Sequence, residues 1–122
     1  VRMYQKVHIS TAPLTDNWKA GGLRSLKIKI YNPYDEEISF SNKDELWKFY
    51  LECGFVEKGK VLEFNPVIGK FAQVTIAPQS SVTIPVIIRA PSKRGEYQLI
   101  FSIRTEPFPG SRNSDKIPVN IN

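Results

Sequence analysis

The chain has 122 residues, 41% apolar and 11% aromatic, with 17 basic against 12 acidic side chains and a net charge of +5. That length suits one domain over residues 1–122 with a core of its own, and the composition excludes a disordered or fibrous chain. No run approaches the roughly 18 apolar residues of a membrane helix, so membrane insertion is not expected.

The basic residues lie in ones and twos, as Lys27 and Lys29, Lys58 and Lys60, Lys93 and Arg94, Arg104, and Arg112. Scattered charge of this kind reads as a solvated surface rather than a nucleic-acid footprint. Cys53 is the single cysteine and has no intrachain partner. Alternation places Leu51 and Phe55 on its face, which fits a small buried hydrophobe better than a reactive thiol. A start at Val1 without a basic-then-apolar leader fits a mature chain or a piece of a longer one.

In chain order, residues 3–9 read as a first strand with Met3, Val7 and Ile9 on its buried face. Residues 11–22 are a turn-rich connection containing Pro13, Asp16, Asn17, Gly21 and Gly22, with Trp18 inside it. Residues 23–31 alternate cleanly, Leu26, Ile28 and Ile30 facing in and Lys27, Lys29 and Tyr31 facing out. Asn32-Pro33-Tyr34-Asp35 ends that strand, because the residue before proline is restricted and Asp bonds its own backbone. Residues 37–40 form a short strand with Ile38 and Phe40 on one face.

Residues 44–55, DELWKFYLECGF, satisfy two periods. Leu46, Phe49, Tyr50 and Cys53 match a helix with Asn42 or Asp44 as cap. Trp47, Phe49, Leu51, Cys53 and Phe55 match a strand, and this longer match is the expectation, with room for a helical turn at 43–46. A turn at 57–60 leads into a strand at 61–64, making a hairpin. A loop at 65–70, a strand at 71–76 and a turn at 77–80 follow.

The stretch 81–105 organises the rest. Alternating runs at 82–88 and 97–103 flank a turn of Pro91, Ser92, Lys93, Arg94 and Gly95, and are expected to pair as a hairpin. Tyr97, Leu99, Phe101 and Ile103 share one face; Glu96, Gln98, Ser102 and Arg104 fall mostly on the other, with Ile100 out of phase. Residues 106–115, EPFPGSRNSD, read as a long loop, and 117–121 as a last strand whose Pro118 is best tolerated at an edge. About eight or nine short strands, with turn signals roughly every 8–12 residues, predict an all-β antiparallel fold.

The spacing Pro91-x-x-x-Gly95-x-Tyr97-x-Leu99, preceded by Ala77-Pro78-Gln79-Ser80-Ser81, resembles the C-terminal half of immunoglobulin-like and fibronectin-III-like domains. The resemblance implies an immunoglobulin-like β-sandwich of about 7–9 strands, with Tyr97 as a tyrosine corner whose hydroxyl bonds to backbone a few residues upstream. It also implies that Leu99 stands where antibody domains place a disulfide cysteine, and that Trp47 is a candidate core tryptophan. Modules of this kind are commonly appended to secreted or cell-surface enzymes, transporters and adhesion proteins. An extracellular or cell-surface setting is therefore expected, with the cytoplasm left open.

Hydrolytic triads need a histidine base, and His8, beside the first strand, is the single one. One His and one Cys do not make a transition-metal set. Asp35, Glu36, Glu37, Asp44 and Glu45 lack the regular spacing of a calcium loop, and there is no glycine-rich phosphate cradle. The expectation is a non-catalytic chain without metal or cofactor. Binding is the better class, with Trp18, Tyr31, Tyr34 and Phe108 as loop or outward-facing rings, and Arg112 in the long loop. The partner expected is a protein, bound through loops or sheet edges. One alternative is a carbohydrate-binding module, with coplanar exposed aromatics on one face. The other is a small inhibitor presenting a protruding loop, 106–115 first and 65–70 second.

Overall fold

Alternation at period two governs the longest segments, and the backbone follows it. The computed structural model describes residues 6–14, 17–40, 49–62, 65–67, 74–105 and 111–122. These form β1 (His8–Ser10), β2 (Asn17–Trp18), β3 (Leu23–Tyr31), β4 (Ile38–Phe40), β5 (Phe49–Glu57) and β6 (Lys60–Val61). Then come β7 (Asn65–Pro66), β8 (Val74–Ile76), β9 (Ser81–Arg89), β10 (Gly95–Thr105), β11 (Ser111–Arg112) and β12 (Ile117–Ile121). Among the described residues no helix is long and apolar enough to cross a membrane.

One sheet runs β1-β3-β9, antiparallel throughout. Ile28 and Ile30 of β3 and Val86 and Ile88 of β9 are buried, while Lys27, Lys29 and Tyr31 face out as their alternation requires. The other sheet runs β2-β12-β10-β5-β6, with β11 beside β10 and β7 beside β5. It is mixed, because β2 joins β12 in parallel. A small third pair, β4 and β8, adds Ile38 and Ile76. Ile28, Ile30 and Ile88 from the first sheet meet Phe55, Leu99 and Phe101 from the second in a single apolar cluster. Each such side chain contributes about 1.5–3 kcal/mol by leaving water.

The expected hairpin between 82–88 and 97–103 does not form. β9 pairs with β3 and β10 with β5 and β12, so the two runs lie in different sheets. The link at 90–94 explains the difference. Its backbone bonds go to the Gly21–Gly22 turn, Ala90 N–H to Gly22 O at 2.8 Å and Gly21 N–H to Pro91 O at 2.8 Å, rather than across to β10. The apolar faces of both strands then feed the same core from opposite sheets. The faces read for β10 hold: Tyr97, Leu99, Phe101 and Ile103 are buried. Ile100 and Ser102 are buried too, so this stretch is covered on both faces.

The strand reading of 44–55 holds over its described part, β5, with Leu51, Cys53 and Phe55 buried. Trp47, the acids Asp44 and Glu45, and Met3 lie outside the described residues. The turn at 57–60 forms a two-residue hairpin, Glu57 opposite Lys60. Lys58 and Gly59 both take left-handed backbone, φ 52° and 77°, which matches the twist of the flanking strands. Pro118 sits in β12 opposite Gln98 of β10; among the described residues β2 reaches β12 only at Asn120 and Ile121, so there the proline has one described neighbour, β10.

The long loop is shorter than expected. Residues 106–110 lie outside the described residues, but Ser111–Arg112 pair with β10 and Asn113 and Ser114 are buried. Asn113 is the reason. Its side chain accepts the Ile103 N–H at 2.8 Å and donates to Val7 O at 2.9 Å. Its backbone donates to Phe101 O at 2.9 Å and accepts the Ile9 N–H at 2.7 Å. The residue thus ties β1 of one sheet to β10 of the other. The expected loop at 65–70 likewise begins as β7, paired with β5; residues 68–70 lie outside the described residues.

Candidate functional site

The structure does not gather the expected binding residues in one place. Trp18 is not an exposed loop ring; it is buried, with 1% of its surface exposed. Its short strand docks on the chain end, Asn122 N–H donating to Trp18 O at 2.7 Å and Ala20 N–H to Asn122 O at 2.8 Å. The indole meets Phe55 edge-on at 6.2 Å, with the Arg24 guanidinium 5.7 Å from its centroid. A turn-rich stretch hides its tryptophan when a strand lies beside it, and local sequence does not display that partner.

Tyr34 is half-buried and packs against the core. Its hydroxyl accepts the Lys6 N–H at 3.2 Å and its own N–H donates to Asn32 Oδ1 at 2.9 Å. Asn32, fully buried, also donates to Glu36 O at 2.8 Å and Ile76 O at 3.1 Å, holding that turn down. Tyr31 keeps its outward position, 39% exposed, between His8 and Ser81 in register. Arg112 is exposed on the other sheet, and Phe108 lies outside the described residues. Among the described residues no three His, Cys, Asp or Glu side chains stand close enough to hold a metal. Cys53 is buried, and burial first, then the Glu52 charge, pushes its thiol up to about 12.

Two other features stand out. The first is the free edge of β9, which among the described residues pairs only with β3. Ladder bonds in an antiparallel pair alternate. The pairs flanking this ladder, Gly22 with Ala90 and Asn32 with Ser80, are the bonded ones. Val82, Ile84, Val86 and Ile88 therefore turn their amides to β3. Thr83, Ile87 and Arg89 turn theirs to the free edge, and Pro85, on the same side, has none to offer. The same residues point their side chains outward. Ile87 is 37% exposed, and Leu23, opposite Arg89 on β3, is 59% exposed. Neither was singled out from sequence, although Ile87 is the one large apolar residue out of phase in its run.

The second is a pocket of about 580 Å³ where the end of β9 faces β5 and β6. Phe55, Tyr97 and Leu62 form its apolar wall, with Glu57, Arg89 and Lys93 at its rim. The Tyr97 hydroxyl donates to Lys93 O at 2.7 Å, the upstream backbone bond expected of this tyrosine. Burial and then the Glu57 carboxylate hold the phenol above its ordinary value. The Lys93–Glu57 pair is 3.6 Å apart with the lysine largely exposed, so it adds little stability. Arg89 donates to Gly21 O at 3.0 Å.

No known family profile matches the chain, and no curated protein sequence matches it. Solved structures share its fold. The alkylpurine DNA glycosylase AlkC of Pseudomonas fluorescens, bound to DNA containing an abasic site analog, matches all of the chain at a TM-score of 0.59 and 8% identity. The sporulation control protein Spo0M of Bacillus subtilis matches 96% of it at 0.53 and 10%. A β-glucosidase of Listeria innocua, in complex with glucose, matches 98% at 0.51 and 11%. The chain spans 31%, 49% and 16% of those proteins, respectively. At such identities the likeness is one of all-β fold alone.

Proposed function

We propose that the chain is a non-catalytic interaction module with the architecture of an immunoglobulin-like sandwich, binding a protein partner along the free edge of β9. The observation that carries this reading is the edge itself, nine residues long, with amides at Thr83, Ile87 and Arg89 that are unpaired among the described residues and with exposed Ile87 and Leu23 on the same face. An unpaired edge is a template for an added strand: main-chain bonds supply affinity and flanking side chains supply choice of partner. The architectural part of the reading is supported by the Tyr97–Lys93 bond and by the two sheets sharing one core.

The test uses peptides selected from a displayed random library against the intact chain. Ile87→Pro deletes one outward amide without touching the ladder to β3. Selected peptides should bind this variant about tenfold more weakly, the effect of one lost main-chain bond with its burial. Unchanged affinity on a folded Ile87→Pro chain would contradict the edge as the binding element.

A further inference from the structure

The pocket beside β9 lies between a strand end of the first sheet and an edge of the second. Arg89 ends β9, and Leu62 directly follows β6, where Val61 and Leu62 are 43% and 37% exposed. Its wall is built in advance of any ligand. The Phe55 and Tyr97 rings stand edge to face at 6.1 Å, and the Tyr97 hydroxyl is fixed on Lys93 O. A wall that needs no reordering loses less entropy on binding.

The charges at the mouth are unequal. Glu57 is matched by Lys93 at 3.6 Å and also faces Lys60 in register. Arg89 places one N–H on Gly21 O, and among the described residues no acid pairs with it. An apolar wall with a surplus cation at its lip suits an apolar group that carries an anion beside it.

We propose that this pocket takes an aromatic or long aliphatic side chain from an extended segment of the protein partner, with a neighbouring carboxylate of that segment on Arg89. The proposal rests on the reading of the chain as a protein-binding module and names the partner chemistry at the end of its edge. It assigns Leu62, Phe55 and Tyr97 to the apolar contact and Arg89 to the anion.

The experiment is a titration of the ¹⁵N-labelled chain with short capped peptides, followed by amide shifts. One set carries Phe, Leu or Ala between two Asp residues; a second set replaces each Asp by Lys. The Phe and Leu peptides with acidic flanks should move the amides of Phe55, Leu62, Arg89 and Tyr97, and the Ala and Lys-flanked peptides should bind about tenfold more weakly or worse. Arg89→Glu and Leu62→Asp should weaken the best peptide by a similar factor, while Lys116→Glu, which changes charge equally away from the pocket, should not. Shifts confined to Thr83 and Ile87 would overturn the pocket assignment and leave the edge reading standing. Absence of shifts at both places, or equal binding of both flank sets, would overturn the pocket proposal outright.

Discussion

Tyr97→Phe isolates one bond in the turn that carries β9 across to β10. The hydroxyl donates to Lys93 O at 2.7 Å, four residues upstream. The ring itself stays, so its edge-to-face contact with Phe55 at 6.1 Å persists and no cavity opens. What is lost is one neutral hydrogen bond, about 0.5–1.5 kcal/mol net. Lys93 is exposed, so water can reach its carbonyl and the penalty for an unmade buried bond does not apply in full. A loss of about 1 kcal/mol follows, read as a fall of about 4 °C in Tm for a domain of this size, or from urea midpoints at constant slope. Tyr97→Ala removes the ring as well and should cost about 3–5 kcal/mol. An unchanged Tm for Tyr97→Phe would mean that the hydroxyl bond does not hold the crossing turn. A loss as large as that of Tyr97→Ala would mean that the ring had moved.

Three further outcomes are specific. Asn113→Ala leaves the Ile103 amide and the Val7 carbonyl without their partner inside the protein; at about 1–3 kcal/mol for each unsatisfied buried group, unfolding in urea should show a loss of roughly 2–6 kcal/mol. Lys58→Asn puts a residue that tolerates left-handed backbone at φ 52° beside Gly59, and should raise stability by about 0.5 kcal/mol in the same assay. The buried Cys53 thiol should resist a disulfide reagent in the native chain and react once it is unfolded. Its folded value of about 12 lies above the ordinary thiol value of 9.0, so between those values the folded chain keeps a proton that the unfolded chain loses. Stability should therefore fall as pH rises through that window, and Cys53→Ala should flatten the fall. The raised Tyr97 phenol acts with the same sign.

Strand faces were the legible part of the sequence, because alternation is a local property. Leu26, Ile28 and Ile30 inward with Lys27, Lys29 and Tyr31 outward, and the run from Tyr97 to Ile103, all follow from period two. The hairpin at Lys58–Gly59 was legible for the same reason: its turn chemistry is local. Which strand pairs with which was not. A turn after β9 looks the same whether the chain folds back in its own sheet or crosses to another, and the bonds that decide it come from Gly21 and Gly22, some seventy positions earlier. Trp18 and Asn113 were misread by the same route, since each sits in a loop-like stretch that distant backbone draws inward. The candidate site suffered most. The free edge of β9 exists only once β3 is known to be its one described neighbour.

Amide hydrogen exchange along β9 tests that edge most directly. In the free chain, Val82, Ile84, Val86 and Ile88 should exchange slowly and Thr83, Ile87 and Arg89 fast, an alternation that one-sided pairing imposes. A bound partner should then slow Thr83, Ile87 and Arg89 selectively. Uniform protection of all these amides in the free chain would show the edge already paired, and would contradict its assignment as the binding element.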